Sequence, residues 1–118
     1  MSYDKNNIFA KILRGQIPCK KVYENDHVLA FHDVNPQKKV HVLVIPKGEY
    51  VDLNDFNNKA SEKEIAEFNK AITHVSNLLG AKDKGYRALT NIGNDGGQEV
   101  PHLHFHIFAG EKIGKMVI

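Results

Sequence analysis

A single cysteine, no tryptophan, a near-neutral charge balance and no long apolar run already exclude several classes of protein. One thiol cannot close an intrachain disulfide or build a multi-cysteine zinc cage, so Cys19 is expected to stay reduced in a cytoplasmic setting. Nothing around Cys19 marks it as activated, which leaves a Cys–His nucleophile without support. Asp4, Lys5, Lys11 and Arg14 interrupt residues 1–20 before a signal-peptide core can form. No segment approaches the ~20 apolar residues of a membrane span, so no membrane partner is expected. The net charge is only +2 and no basic arm is present, which argues against a nucleic-acid partner while leaving room for a nucleotide in a local pocket. Neither the P-loop pattern nor GxGxxG occurs, so phosphate would have to be held by other means.

What is present fits one domain over residues 1–118, 42% apolar and 25% charged. Ile8, Phe9, Ile12 and Leu13 form a short stripe at helical spacing, capped by Asn6 or Asn7 and stopped by Gly15 and Pro18. Val22–Tyr23 and Val28–Asp33 read as a hairpin, and His41–Ile45 as an apolar strand halted by Pro46. Residues 48–59 are Asn- and Asp-rich, with Val51, Leu53 and Phe56 as anchors, and predict a loop or one short helical turn. Ser61 and Glu64 make a capping box for a long helix carrying Ile65, Phe68, Ile72, Val75 and Leu79, with Gly80 as its stop. His74 lies beside that stripe and reads as a surface histidine. Tyr86–Thr90 is a further strand. A short helix, several strands, one long helix and more strands, without strand–helix alternation, give an α+β fold on a mainly antiparallel sheet.

The chemistry concentrates in PHLHFHIF, residues 101–108. On a strand, period two sends His102, His104 and His106 to one face and Leu103, Phe105 and Ile107 to the other. Three of the chain's seven histidines at this spacing are hard to explain as an incidental polar face. Such a face suits either a three-nitrogen zinc site or an imidazole catalyst of acyl, phosphoryl or nucleotidyl transfer, and spacing alone does not choose. Central His104, flanked on both sides, is the best-placed nucleophile. Asp33 could cap its own turn or accept ribose hydroxyls, and His41 opens a strand near solvent. The stretch NIGNDGGQEV is a Gly-rich hairpin or an anion recess.

Three stretches, IFAKILRGQIP, LAFHDVNPQKKVHVLVIPK and NIGNDGGQEVPHLHFHIF, together resemble the histidine triad (HIT) superfamily, in particular its small Hint-like branch. The resemblance implies a HIT-like five-stranded antiparallel sheet with one short N-terminal and one long helix, paired as a homodimer with a ten-stranded surface. It implies a metal-independent, cofactor-free purine nucleoside phosphoramidase that acts on purine nucleotides and nucleoside phosphoramidates. His104 matches the nucleophile, His102 and His106 its triad neighbours, and His41 a further histidine at the phosphate. Ile8, Phe9, Ile12, Phe31, His32 and Val34 match the base cleft and Asp33 the ribose contact. Asn91 and the backbone of Gly97, Gln98 and Glu99 match groups near the α-phosphate or leaving group. Position 99 holds Glu where some relatives carry Ser, and the tail EKIGKMVI has no tryptophan where some place an aromatic segment by the partner's site. Alternatives are a dinucleoside polyphosphate hydrolase or nucleotidyl transferase, a nucleotide-binding regulator without catalysis, and a zinc-dependent hydrolase.

Overall fold

The computed structural model describes residues 2–117. Its strands are β1 (Lys21–Glu24), β2 (Val28–His32), β3 (Val40–Pro46), β4 (Arg87–Leu89) and β5 (Phe105–Ala109), and its helices are α1 (Ile8–Leu13), α2 (Leu53–Lys59) and α3 (Glu62–Leu78). The strands form one five-stranded sheet in the order β1-β2-β3-β5-β4, and every neighbouring pair is antiparallel. This is the mainly antiparallel α+β sheet that the order of elements predicts, with the five strands that the resemblance implies. β2 and β3 are central and buried on both faces, so they read as near-continuous Val, Leu, Ile and Phe rather than as an alternation.

Alternation still sorts the side chains into two cores. Val28, Ala30, Val42, Val44 and Ile107 pack with Phe68, Ile72 and Val75 of α3. On the other face Leu29, Phe31, Leu43 and Ile45 pack with Phe9 of α1. One face is thus sealed by the long helix, whereas the other receives only a six-residue helix and has room for polar chemistry. Asn7 supplies the cap of α1, its side chain accepting from the Ala10 amide at 2.9 Å.

α3 starts with the expected capping box between Ser61 and Glu64. It ends in a Schellman turn, with Gly80 at φ +72° and the Ala81 amide donating to the Ser76 carbonyl at 3.0 Å. The region read as a loop or single turn is instead a seven-residue helix, α2. Asn and Asp are poor helix formers, which hides it in the sequence. Asp52 caps it through the Asp55 amide, and Phe56, 1% exposed, holds it between the rings of Tyr50 and Phe68. Burial of that ring contributes roughly 1.5–3 kcal/mol, of the same order as the propensity costs of Asn54, Asp55, Asn57 and Asn58 at up to ~0.7 kcal/mol each.

The last strand also departs from expectation, since pairing begins at Phe105 and residues 101–104 lie outside it. Pro101 has no amide to give a ladder. The His102 amide turns back to the Val100 carbonyl, and the Leu103 amide donates to the Tyr50 carbonyl, each at 2.9 Å. The chain therefore approaches the sheet across the 50s loop and joins it only after His104. No helix among the described residues is long and apolar enough to cross a membrane.

Candidate active site

The register across β3 and β5 sets His41 opposite Phe108 and Leu43 opposite His106, so these residues share the face that α1 covers. His41 and His106 meet directly, Nε2 to Nδ1, at 2.9 Å. His41 Nε2 also lies 3.4 Å from Asp33 Oδ2. The Asp33 amide donates to the His41 carbonyl at 2.9 Å, which holds the turn after β2 against the start of β3. Phe108 stacks on His106 at 3° between planes and lies 4.3 Å from the His41 ring centre. His104 sits 5.0 Å from the ring of His106 and 5.0 Å from that of Phe9.

The protons follow from the partners of each ring. His104 Nδ1 lies 2.7 Å from the His102 carbonyl, which can only accept, so Nδ1 carries the proton and Nε2 keeps a lone pair. The Gln37 amide donates to His41 Nδ1 at 3.2 Å, so His41 is protonated at Nε2 and donates to His106 Nδ1. His106 then carries its proton on Nε2. His102 donates from Nε2 to the Pro46 carbonyl at 2.9 Å and accepts on Nδ1 from the Tyr3 hydroxyl at 2.5 Å. Four neutral imidazoles with complementary donors and acceptors result.

Their pKa values agree with that state. Burial, reinforced by the charge of His104, overrides the Pro46 hydrogen bond and pushes His102 down to about 4. Burial, with repulsion from His104 and His41, takes His106 to about 4 as well. Burial lowers His104 despite its hydrogen bond to His102 and the opposing charges of Asp33 and Glu99. His41 is also lowered by burial, with Asp33 acting against it.

Asp33, His41 and His106 bring ligand atoms within 4.8 Å of one another, close enough to suggest a metal ion. The tautomers argue for a hydrogen-bonded chain instead. A cation needs the lone pair of His41 Nε2, yet moving that proton to Nδ1 would set it against the Gln37 amide.

The remaining expected residues divide. Phe9 and Phe31 meet edge to face at 5.7 Å and form an apolar wall beside His104. Ile12 packs against that cluster, while Ile8 and Val34 stay 44% and 84% exposed, apolar surface that the fold itself leaves uncovered. His32 lies on the other face of the sheet. It pairs with Val42, whose side chain belongs to the α3 face, so only the backbone of His32 can border the cleft. The Gln98 side chain and the Gly97 amide make contacts within their own loop and to Val51. The Gln98 side chain donates to the carbonyls of Val51 and Val100 at 2.7 and 3.0 Å and accepts from the Gly93 amide, and the Gly97 amide donates to the Asn94 carbonyl. Gly96 is required there by space, since a Cβ would stand 2.3 Å from the Ile92 carbonyl oxygen. Glu99 is exposed and Asn91 half-buried, the latter directly after Thr90. The Thr90 hydroxyl donates to the His104 carbonyl at 2.7 Å, a support that no sequence motif points to. Tyr3 was missed for the same reason.

The family described as HIT domain matches residues 14–113. A 13.2 kDa HIT-like protein of Azospirillum brasilense is 58% identical over 98% of this chain and 95% of its own. The purine nucleoside phosphoramidase of Escherichia coli K12 is 34% identical over 96% of this chain and 94% of its own. Among solved structures, a HIT family hydrolase from Clostridium thermocellum superposes with a TM-score of 0.88 at 36% identity, covering 98% of this chain and 99% of that one.

Proposed function

The chain belongs to the HIT domain family, and from that premise we propose that it is a purine nucleoside phosphoramidase working through a nucleotidyl-histidine intermediate. The observation that carries this reading is the His104 Nδ1–H bond to the His102 carbonyl, which leaves a neutral Nε2 as the nucleophile. That Nε2 attacks the α-phosphorus while the P–N bond breaks, and the nitrogen takes a proton from water and leaves as an amine. Water then attacks the same phosphorus, His104 departs with its electron pair, and a nucleoside monophosphate is released. His106, protonated on Nε2 through its contact with His41, offers a donor for the nonbridging oxygens. Asp33 accepts the ribose hydroxyls, and Phe9, Phe31, Ile8, Ile12 and Val34 receive the base. This wall is largely apolar, so adenosine and guanosine phosphoramidates are both substrates. The similarity to the Escherichia coli phosphoramidase supports the same choice of bond.

Incubating metal-free protein with an adenosine phosphoramidate, with and without added zinc, tests the reading. The expected result is AMP and free amine in equal amounts, with a nucleotidyl adduct on the protein by intact mass after rapid quenching. Activity only with zinc overturns the mechanism, and nucleotide binding without product overturns the enzyme.

A homodimer belongs to the same reading. β4, three residues long, forms one edge of the sheet. Nearby, on the helix side, a cavity of about 460 Å³ is lined by Phe56, Ile65, Phe68, Ile72 and Phe105. An edge and an apolar recess side by side suit a second copy of this chain. Sedimentation should give twice the 13.3 kDa chain mass across a dilution series, and a species of chain mass throughout would exclude the dimer.

A further inference from the structure

The His102 ring, 0% exposed, has a partner from outside every motif considered so far. Tyr3, from the segment before α1, donates its hydroxyl to His102 Nδ1 at 2.5 Å and meets the ring edge-on at 72°. Phe9 closes the ring from another side at 89°. The Asn7 carboxamide donates to the Asp4 carbonyl and caps α1 through the Ala10 amide. The helix that brings Phe9 to His104 and the segment that carries Tyr3 are therefore joined at one buried asparagine.

We propose that Tyr3 is a positioning residue of the active site: its hydroxyl holds the His102 imidazole in the orientation that donates Nε2–H to the Pro46 carbonyl and thereby steadies the backbone carbonyl that orients His104. Two contacts determine the orientation of the His102 ring. Nε2–H must point to the Pro46 carbonyl at 2.9 Å, and a proton on Nδ1 instead would leave two lone pairs facing each other at that distance. The Pro46 carbonyl, which can only accept, thus selects the Nε2–H tautomer, and the Tyr3 hydroxyl donates to the remaining lone pair on Nδ1 and so holds the ring in that orientation. Without that hydroxyl, a wholly buried acceptor has no donor, and turning the ring is the available relief. The His102 carbonyl shares the residue's backbone and accepts the His104 Nδ1 proton at 2.7 Å, so a turned ring loosens the bond that fixes the nucleophile's tautomer. Misplacement of a reacting atom by a fraction of an ångström is enough to slow chemistry while leaving binding intact.

Tyr3→Phe removes only the hydroxyl and keeps the edge-on packing. The imidazole nitrogens, read by ¹⁵N resonance in nucleotide-free protein, should show His102 protonated on Nε2 alone in the unaltered chain and a mixture of tautomers in Y3F. With an adenosine phosphoramidate, kcat should fall about ten-fold while AMP affinity stays within about two-fold. A Y3F protein with an unchanged His102 pattern, or with kcat within two-fold of the unaltered chain, overturns the proposal. Only the kinetic arm rests on the phosphoramidase reading. An unaltered protein that forms no product would reject that reading, and the nitrogen pattern would still decide what Tyr3 does to His102.

Discussion

His104→Ala should lower turnover of an adenosine phosphoramidate by about 10⁴-fold or more and abolish the nucleotidyl adduct, since removing a covalent nucleophile eliminates the route itself. The neighbouring imidazoles cannot take over. His102 is fully buried with both ring nitrogens engaged, one by Tyr3 and one by Pro46. His106 Nδ1 is occupied by His41, and its other nitrogen carries the proton. Among the four rings of the site, only His104 has an acceptor nitrogen, Nε2, without a hydrogen-bond partner among the described residues. The base wall of Phe9 and Phe31 does not include the deleted ring, so AMP affinity should change by no more than a few-fold. Parallel measurement of adduct mass, kcat and AMP binding separates these effects. Undiminished turnover would remove His104 from the chemistry, and a lost adduct with lost AMP binding would point to a collapsed cleft.

The sequence made the sheet and the triad readable for a simple reason: both depend on local periodicity. The apolar runs of β2 and β3 and the capping box of α3 are short-range signals that no other part of the chain contradicts. What stayed hidden depends on long-range partners. α2 is helical because Phe56 finds Tyr50 and Phe68, against the preference of its asparagines. His102 looked like one flank of His104 on a regular strand face, yet the Leu103 amide bonds Tyr50 and takes this stretch out of the ladder. The result is three different environments for the three histidines: His102 is enclosed and its carbonyl accepts from His104, the Nε2 of His104 makes no hydrogen bond among the described residues, and His106 meets His41, which lies against Asp33. Gln98 and Gly97 looked like ligand groups because polar and flexible residues serve loops and ligands equally. The contact from the Gln98 side chain to the Val51 carbonyl, a long-range partner, shows its use within the fold.

A second large effect concerns acid. The depressed histidines predict that folding stability falls as pH drops from about 6.5 toward about 4, well before most carboxylates titrate. In the unfolded chain each imidazole titrates near 6.5, whereas burial holds His102 and His106 near 4 in the fold. Between those limits the unfolded state binds more protons, so stability rises with pH, is fully present above the unfolded value and is lost on acidification. For the fully buried His102 the difference corresponds to about 3 kcal/mol at ~1.36 kcal/mol per pH unit, a large share of a small domain's stability. His104 and His41, shifted in the same direction, add to the slope. Urea unfolding at half-unit steps of pH measures it, and His102→Gln, which retains hydrogen-bonding capacity without titrating, should flatten the curve by about one proton. A stability profile level between pH 6.5 and 5 would contradict the neutral assignment of these rings. The same depression keeps His104 unprotonated below the ordinary histidine range, so the acid limb of turnover should lie under pH 6.5. If that limb moves with the unfolding midpoint in H102Q, acid inactivation reflects loss of the fold; if it stays while the midpoint moves, it reports protonation of the nucleophile.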